Sequence, residues 1–600
     1  MQQQINLQSA VNLLQNRQYE AALIMLQEIS KLQVANADVF NLLGVAYRHC
    51  DDNNSSRKSF KKSIRLNPNN PSFYNNMGNL YTQEGKLEKA KTCFIDALKI
   101  DNSFIDALNN LGLTYQRLGS FEKAKEQFIK LTTLNNRHFA GFASLGLVHQ
   151  ELGELEQAVE AYDKCLFIND KYLIALHNKA VSLKLQNKFE EAIQLFHKVL
   201  TLNPNIADTH QNLGSCYASQ GQPEQAKEEF KIAVTLDPLS ASQHHWYNQM
   251  LWSEGDSEFL KSYDVQIKTT PTAHHLRREL VFKLSLANRL DEALEHSSYL
   301  VEKDANFALN FKLHGEVLRK KRKFTEAVSA HQRGVKLARN DSGLKEELAT
   351  SYLSNGDVKA AMPLIEQLIK SDSNHQGYIA LKTTALRIDQ SDEYFELCDY
   401  EKLILKTKIE TPPGFSTLKE FNTALAEHLK ELHVSKEHPL DQSLISGTQT
   451  IGNLFNNPHQ VVSLLKDAFD EKTMEFIKQL PSDTKHPTLR RNTQNYSYTG
   501  AWSVLLRNSG FHLNHFHSVG WYSGPYYVEL PDEINDESQQ GWVKFGEPGF
   551  ECIVALPADL IVKPEPGLMV RFPSYVWHGT NPFKSEQKRL VVALDIEPQQ

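Results

Sequence analysis

Residues 78–94 read Gly78-Asn-Leu-Tyr81-Thr-Gln-Glu-Gly-Lys-Leu-Glu-Lys-Ala90-Lys-Thr-Cys-Phe94. Starting 34 residues later the chain reads Gly112-Leu-Thr-Tyr115-Gln-Arg-Leu-Gly-Ser-Phe-Glu-Lys-Ala124-Lys-Glu-Gln-Phe128. Outward from this pair the small residue recurs at Ala10, Gly44, Gly78, Gly112, Gly146, Ala180 and Gly214. Three residues after the last six stand Tyr47, Tyr81, Tyr115, His149, Leu183 and Tyr217. Further columns follow at Ser56, Ala90, Ala124, Ala158, Ala192 and Ala226, and at Phe60, Phe94, Phe128, Tyr162, Phe196 and Phe230. A fixed period of this length marks an array of supersecondary units. Small residues let two antiparallel helices approach closely, and the aromatic columns fill the space between one repeat and the next. Each two-helix unit cannot bury its apolar face alone, so the units must stack.

These columns resemble the tetratricopeptide repeat. The resemblance implies an all-α, right-handed superhelix with a concave inner face, of about ten or eleven helical pairs over residues 1–372. The spacing resumes one residue short of two repeats at Ala293, Ala327 and Ala361, so 240–273 reads as a degenerate repeat. Two residues before the glycine column stand Asn76, Asn110, Ser144, Asn178 and Asn212. Asparagine is a poor helix former, and its amide both donates and accepts, matching the backbone of an extended peptide. The column resembles the asparagine ladder of O-GlcNAc transferases, which implies that the concave face binds a protein or peptide through Asn76, Asn110, Asn178 and Asn212. Duplicated, idle asparagines are the alternative.

Composition narrows the remaining classes. The chain is 41% hydrophobic and 23% charged, within the range of globular proteins. Residues 395–600 carry 19 Lys and Arg against 26 Asp and Glu, which accounts for the whole net charge of −7. Neither half offers the basic footprint of a nucleic-acid binder. No apolar run reaches the ~18 residues of a membrane span. The start shows no secretory signal, and six scattered cysteines form no CxxC pair. A cytoplasmic protein without nucleic-acid or membrane partners is expected; oligomeric state is left open.

After Ser391 the period disappears. Residues 373–415 read as a linker, extended over 394–413, before a second domain at 416–600. Ser416 can cap a helix through Leu418, Phe421, Leu425 and Leu429, and a second helix is expected over 460–479. From Tyr496 the pattern alternates in short runs, Ala501–Arg507, Ser523–Leu530, Leu568–Phe572 and Leu590–Ile596, punctuated by Gly and Pro. This predicts a barrel or sandwich. In His512-Leu-Asn-His-Phe-His517, residues 515 and 517 share one face of the expected strand, and two imidazoles on one face can chelate a metal. The register His512 with Asn514 is the alternative. His578 follows just after the run Leu568–Phe572 and the turn Pro573-Ser574. Arg589 is expected in a strand beside His578, across a loop containing Pro582.

The order His-x-His, Ser523-Gly-Pro-Tyr-Tyr-Val528, Pro-x-Pro-Gly with Phe572-Pro-Ser574, Trp577-His578 and Arg589 resembles the 2-oxoglutarate/Fe(II)-dependent oxygenases over residues 495–597. It is most similar to the bacterial subgroup whose near motif is His-x-His. The resemblance implies a double-stranded β-helix of the jelly-roll, cupin-like kind with flanking helices, and Fe(II) held by His515, His517 and His578. It implies 2-oxoglutarate held by Arg589 with Tyr527, and oxidation of a substrate C–H bond, most often a hydroxylation. His517 stands where most of the family has a carboxylate. A core role for Tyr527 is the alternative to a cosubstrate contact. Two further readings stay open: a scaffold whose β-domain has lost catalysis, and a three-histidine metal dioxygenase that does not use 2-oxoglutarate.

Overall fold

The glycine and aromatic columns are two sides of one contact. A Cβ on Gly78 would lie 2.5 Å from the Phe94 ring, one on Gly112 2.7 Å from Phe128, and one on Gly146 2.6 Å from Tyr162. In these repeats the ring of the second helix therefore lies directly against the backbone of the first, and a side chain added at the glycine would have to displace it. The computed structural model describes residues 7–32, 36–433, 440, 442–450, 452–535 and 537–599, in two units, Met1–Leu236 and Asp237–Gln600. The first unit contains seven helix pairs, from Leu7–Gln15 with Tyr19–Leu32 to Ala207–Ser219 with Pro223–Leu236. Seven residues after the small-residue column the backbone turns left-handed. Gly85, Gly119, Gly153 and Gly221 occupy this place at φ 69–76°, and Arg17, Asp51 and Asn187 at φ 59–61°. Such a residue stops each first helix and reverses the chain.

In the second unit the pairs continue from Ala241–Ser253 to Val358–Ser371. The irregularity at 240–273 is a shortened second helix, Lys261–Thr269, of 9 residues against 14 in the regular repeats. The compact units divide at Leu236, inside the array, while the helix pairs run to Ser371. Residues 373–415 carry regular structure of their own. They hold the helix Gln376–Ile388, short helices Glu393–Leu397 and Tyr400–Leu403, and strand β1 (Leu405–Lys408). Gln376–Ile388 is covered on two sides. Leu381 and Ala385 join the repeat core with Leu353 and Ile365, while Ile379, Ala380 and Leu386 join the core of the β-region. A helix packed on both sides cannot act as a spacer.

The remaining strands are β2 (Leu444–Gln449), β3 (Tyr496–His512), β4 (Tyr522–Glu529), β5 (Val543–Phe545), β6 (Leu560–Val562), β7 (Leu568–Pro573), β8 (His578–Thr580) and β9 (Arg589–Pro598). They form a six-stranded sheet, β1-β7-β4-β9-β3-β2, and a three-stranded sheet, β6-β5-β8, antiparallel throughout. Strand β9 shows how alternation builds two cores. Leu590, Val592, Leu594 and Ile596 pack with Phe421, Leu425 and Phe469 of the helices Leu418–Glu431 and Gln460–Gln479. Arg589, Val591, Ala593 and Asp595 face the opposite way and line a cavity. The cap of Leu418–Glu431 is Thr417 rather than Ser416. Thr417 Oγ1 accepts from the Glu420 amide at 3.1 Å, while the Ser416 amide donates to the Glu420 carboxylate at 2.9 Å. The two acceptors satisfy amides that the helix start leaves open.

Candidate metal centre

Strand β3 ends at His512, so His515-Phe-His517 lies outside any regular strand. A single antiparallel bridge holds it. The His515 amide donates to His578 O at 2.8 Å, the His578 amide returns a bond to His515 O at 2.9 Å, and the His517 amide donates to Ser574 O at 2.9 Å. His515, Phe516 and His517 all line the cavity, and Phe516 packs edge-on against Trp577 at 5.0 Å.

The three rings converge. Centroids lie 4.2 Å apart for His515 and His578, 5.2 Å for His515 and His517, and 5.1 Å for His517 and His578. One ligand nitrogen from each lies within 4.8 Å of the others. Two rings are anchored by hydrogen bonds at Nδ1: His515 Nδ1 to Leu513 O at 2.7 Å and His578 Nδ1 to Val576 O at 3.0 Å. His517 Nδ1 lies 2.7 Å from Asp595 Oδ1, an ion-pair distance without hydrogen-bond alignment. A carbonyl oxygen can only accept, so His515 and His578 carry hydrogen on Nδ1 and keep the Nε2 lone pair. This outer shell fixes tautomer and ring orientation in metal-binding histidines. Burial, with the neighbouring imidazoles, pushes His515 down to about 3 and His578 well below the usual histidine range. Both rings are neutral near pH 7, as metal ligands must be. His512 is pushed down in the same way. Its Nδ1 meets Ser443 Oγ at 3.1 Å, and it stands outside the triad.

The rings open into a cavity of about 470 Å³. Arg589 enters it from β9, opposite Leu506 of β3, whereas His578 sits on β8 opposite Phe545. The two residues thus belong to different sheets, not to neighbouring strands, and meet only because both sheets wall one cavity. Arg589 is 1% exposed, and its Nε and Nη1 have no hydrogen-bond partner. Its guanidinium lies 5.2 Å over the Tyr527 ring, and the Tyr527 hydroxyl is likewise buried without a partner. Burial lowers the arginine and raises the tyrosine. Tyr527 lies under the guanidinium rather than in the cavity wall. Buried, unsatisfied donors of this kind fit an incoming carboxylate.

Trp502, which the sequence suggests as core or pocket wall, lines the cavity and stacks on His517 at 6.2 Å. Sequence reasoning missed two contributors: Ser443, 3.4 Å from His515 Nε2, and Asp595, which backs His517. The signal for Asp595 was present, because it lies six residues after Arg589 on the same strand parity. It also missed the support from the repeats. Trp577 Nε1 donates to Thr384 Oγ1 at 2.9 Å and to Ala380 O at 3.2 Å, so helix Gln376–Ile388 holds the residue preceding His578.

The asparagine column is half-buried and partly engaged with its own neighbours. Asn76 donates to Asn41 at 3.0 Å, and Asn110 donates to Asn75 at 3.0 Å and Asn79 at 3.1 Å. Asn212 accepts from Lys184 at 2.5 Å and donates to Asp208 O at 2.9 Å. Asn178 occupies the equivalent place. No helix of the described residues is long and apolar enough to cross a membrane.

Comparison with known proteins agrees with both regions. Residues 500–595 match the family described as "Putative 2OG-Fe(II) oxygenase". Tetratricopeptide repeat families match at 37–70, 59–92, 78–119, 105–138, 141–172 and 183–245. Similar solved structures include YrrB, titled a TPR protein with an unusual peptide-binding site, at 25% identity over 32% of this chain and 97% of that one, TM-score 0.29. MamA is 22% identical over 29% and 94%, TM-score 0.27. A tetratricopeptide repeat protein from Parabacteroides merdae is 20% identical over 40% and 96%, TM-score 0.34. No curated protein matches the chain. Tetratricopeptide repeat families thus match within residues 37–245, and the family described as "Putative 2OG-Fe(II) oxygenase" matches residues 500–595.

Proposed function

We propose that this protein is a 2-oxoglutarate- and Fe(II)-dependent dioxygenase acting on a protein or peptide. The observation that carries the reading is the pairing, in one cavity, of three convergent imidazoles with a buried arginine whose Nε and Nη1 have no hydrogen-bond partner. His515, His517 and His578 would hold Fe(II). Arg589 would take the distal carboxylate of 2-oxoglutarate through its planar fork, with Tyr527 beneath fixing the plane of the guanidinium. When bound, the metal and cosubstrate couple decarboxylation to oxidation of a substrate C–H bond. The chain's own part is to keep His515 and His578 neutral, hold the ligand nitrogens in place, and line the cavity with Trp502, Phe516 and Phe572 to limit water.

The repeats supply the peptide half of the reading. Asn76, Asn110 and Asn212 each make one or two bonds to their neighbours, and an amide can make four, so capacity remains for an extended chain. The third histidine in place of a carboxylate favours one other reading, a three-histidine dioxygenase that does not use 2-oxoglutarate.

Anaerobically prepared protein should bind one Fe(II) and form succinate from 2-oxoglutarate. His515→Ala and His578→Ala should abolish both. Arg589→Lys should weaken 2-oxoglutarate binding at least tenfold while leaving Fe(II) binding intact, because lysine cannot pair bidentately. Unchanged cosubstrate affinity in Arg589→Lys would overturn the 2-oxoglutarate assignment and leave the three-histidine reading. Replacing Asn76, Asn110, Asn178 and Asn212 together by alanine should slow modification of a protein substrate while sparing uncoupled succinate formation.

A further inference from the structure

The Nδ1 atoms of His515 and His578 bond to neutral backbone carbonyls, of Leu513 and Val576, whereas that of His517 faces the Asp595 carboxylate at an ion-pair distance of 2.7 Å. We infer that Asp595 supplies, through His517, the negative charge that a carboxylate ligand would otherwise bring to this metal centre directly. The inference rests on the metal reading above and concerns a positioning residue, not a ligand.

Charge balance in a secluded site is the first argument. Asp595 and His517 side chains are each 14% exposed. Among the described residues that line the cavity, Arg589 and Asp595 are the charged ones, histidines aside. A divalent ion and one guanidinium bring three positive charges, and a dicarboxylate brings two negative ones. Asp595 brings the third. Without it the filled cavity keeps an unpaired positive charge in a low-dielectric site, which is costly.

Position is the second argument. Asp595 is not on a loop. It sits on β9, opposite Gly500 of β3 and Ser523 of β4, with ladder partners on both sides. Strand alternation sends it to the cavity face, together with Arg589, Val591 and Ala593. One strand thus carries the cosubstrate cation at one end and the balancing anion near the metal at the other. The third argument is chemical. A carboxylate behind a ligating imidazole fixes its tautomer and raises its basicity, which strengthens the bond to the metal. His517 occupies the ligand place where a carboxylate would bind directly, so the anion is displaced by one imidazole rather than lost.

The test uses the full chain and Co(II) as the probe, titrated calorimetrically into wild type, Asp595→Asn, Asp595→Ala and His515→Ala. Asparagine keeps the size and an oxygen that can accept from Nδ1 but removes the charge. Co(II) affinity should fall roughly tenfold in Asp595→Asn and up to roughly 100-fold in Asp595→Ala. The visible bands of bound Co(II) should shift in Asp595→Asn while its metal-free melting curve matches wild type, an effect a purely structural role would not give. His515→Ala should bind no Co(II) at the site. If both Asp595 variants bind like wild type while His515→Ala does not, the inference is overturned and the metal centre stands. If His515→Ala also binds like wild type, the metal reading falls and takes the inference with it. X-ray absorption showing a carboxylate bonded to Co(II) in wild type would make Asp595 a ligand, and would equally overturn the positioning role.

Discussion

The helices of the first unit and those near the end of the array obey one repeat code with different consequences. In the first unit the small-residue column meets an aromatic ring sixteen residues on, as Gly78 meets Phe94 and Gly112 meets Phe128, and the turn seven residues on is left-handed. In the second unit the same offsets recur with other chemistry. Gly315 lies against the ring of His331, whose Nδ1 meets Ser351 Oγ at 2.8 Å, and Gly356 has φ 76°. There the helices also serve the β-region. Trp577 donates into helix Gln376–Ile388, Arg387 Nη1 donates to Gly546 O at 2.9 Å and pairs with Asp559 at 2.5 Å, and Arg322 pairs with Glu551. A local code builds the array wherever it occurs; a few long-range donors tie its last helices to the β-region behind the cavity.

The difference can be broken most forcefully at Trp577. It is 7% exposed and packs against Phe516 and Phe550 while bonding to helix Gln376–Ile388. Trp577→Ala should cost about 3–5 kcal/mol through the cavity it opens, and should abolish metal binding by releasing His578. Trp577→Phe keeps most of the ring and should cost about 1 kcal/mol for the lost N–H bonds. Denaturant melts followed beside Co(II) titration would read both effects.

Acid should sharpen the comparison. In the second unit burial depresses His331 to about 4, His433 to about 4 and His515 to about 3, with His578 well below its usual value. The unfolded chain takes up these protons near pH 6.5, the native one only far lower. Stability is therefore retained above about pH 6.5 and falls as pH drops toward 3, by at most about 1.4 kcal/mol per pH unit for each such histidine. All six tryptophans lie in 237–600, so their fluorescence reports that unit. On acidification the tryptophan signal should be lost before the helical circular dichroism. Coincident loss would show that the depressed histidines do not set the order.

The smallest effect is expected in the first unit. An added methyl at Gly112 meets the Phe128 ring at 2.7 Å, so Gly112→Ala should cost about 1–3 kcal/mol by overpacking. It should move the circular dichroism melt while leaving tryptophan fluorescence and Co(II) affinity unchanged. A change in metal affinity would show that the repeat code is not local.

Much of this molecule was legible in its sequence because its determinants are local. Period and column offsets encode helices that pack on their sequence neighbours, so Gly78, Ala90 and Phe94 announce one another. The helix Gln460–Gln479 and the long strands β3, β4, β7 and β9 follow from runs of 3.6 or 2 period. His515, His517, His578 and Arg589 were legible as an ordered set of motifs. Tertiary structure decided the rest. Strands β1, β5, β6 and β8 have three or four residues each, too few for a period to register, and form only because a partner strand completes their hydrogen bonds. Helix Gln376–Ile388 is buried from two sides by segments far away in sequence. The placement of Arg589 across from His578, rather than alongside it, came from two sheets closing on one cavity. The Asp595 carboxylate came to lie behind His517 for the same reason: a charge 78 residues away becomes a neighbour only when β9 is paired on both edges and has no freedom left to turn its side chains elsewhere.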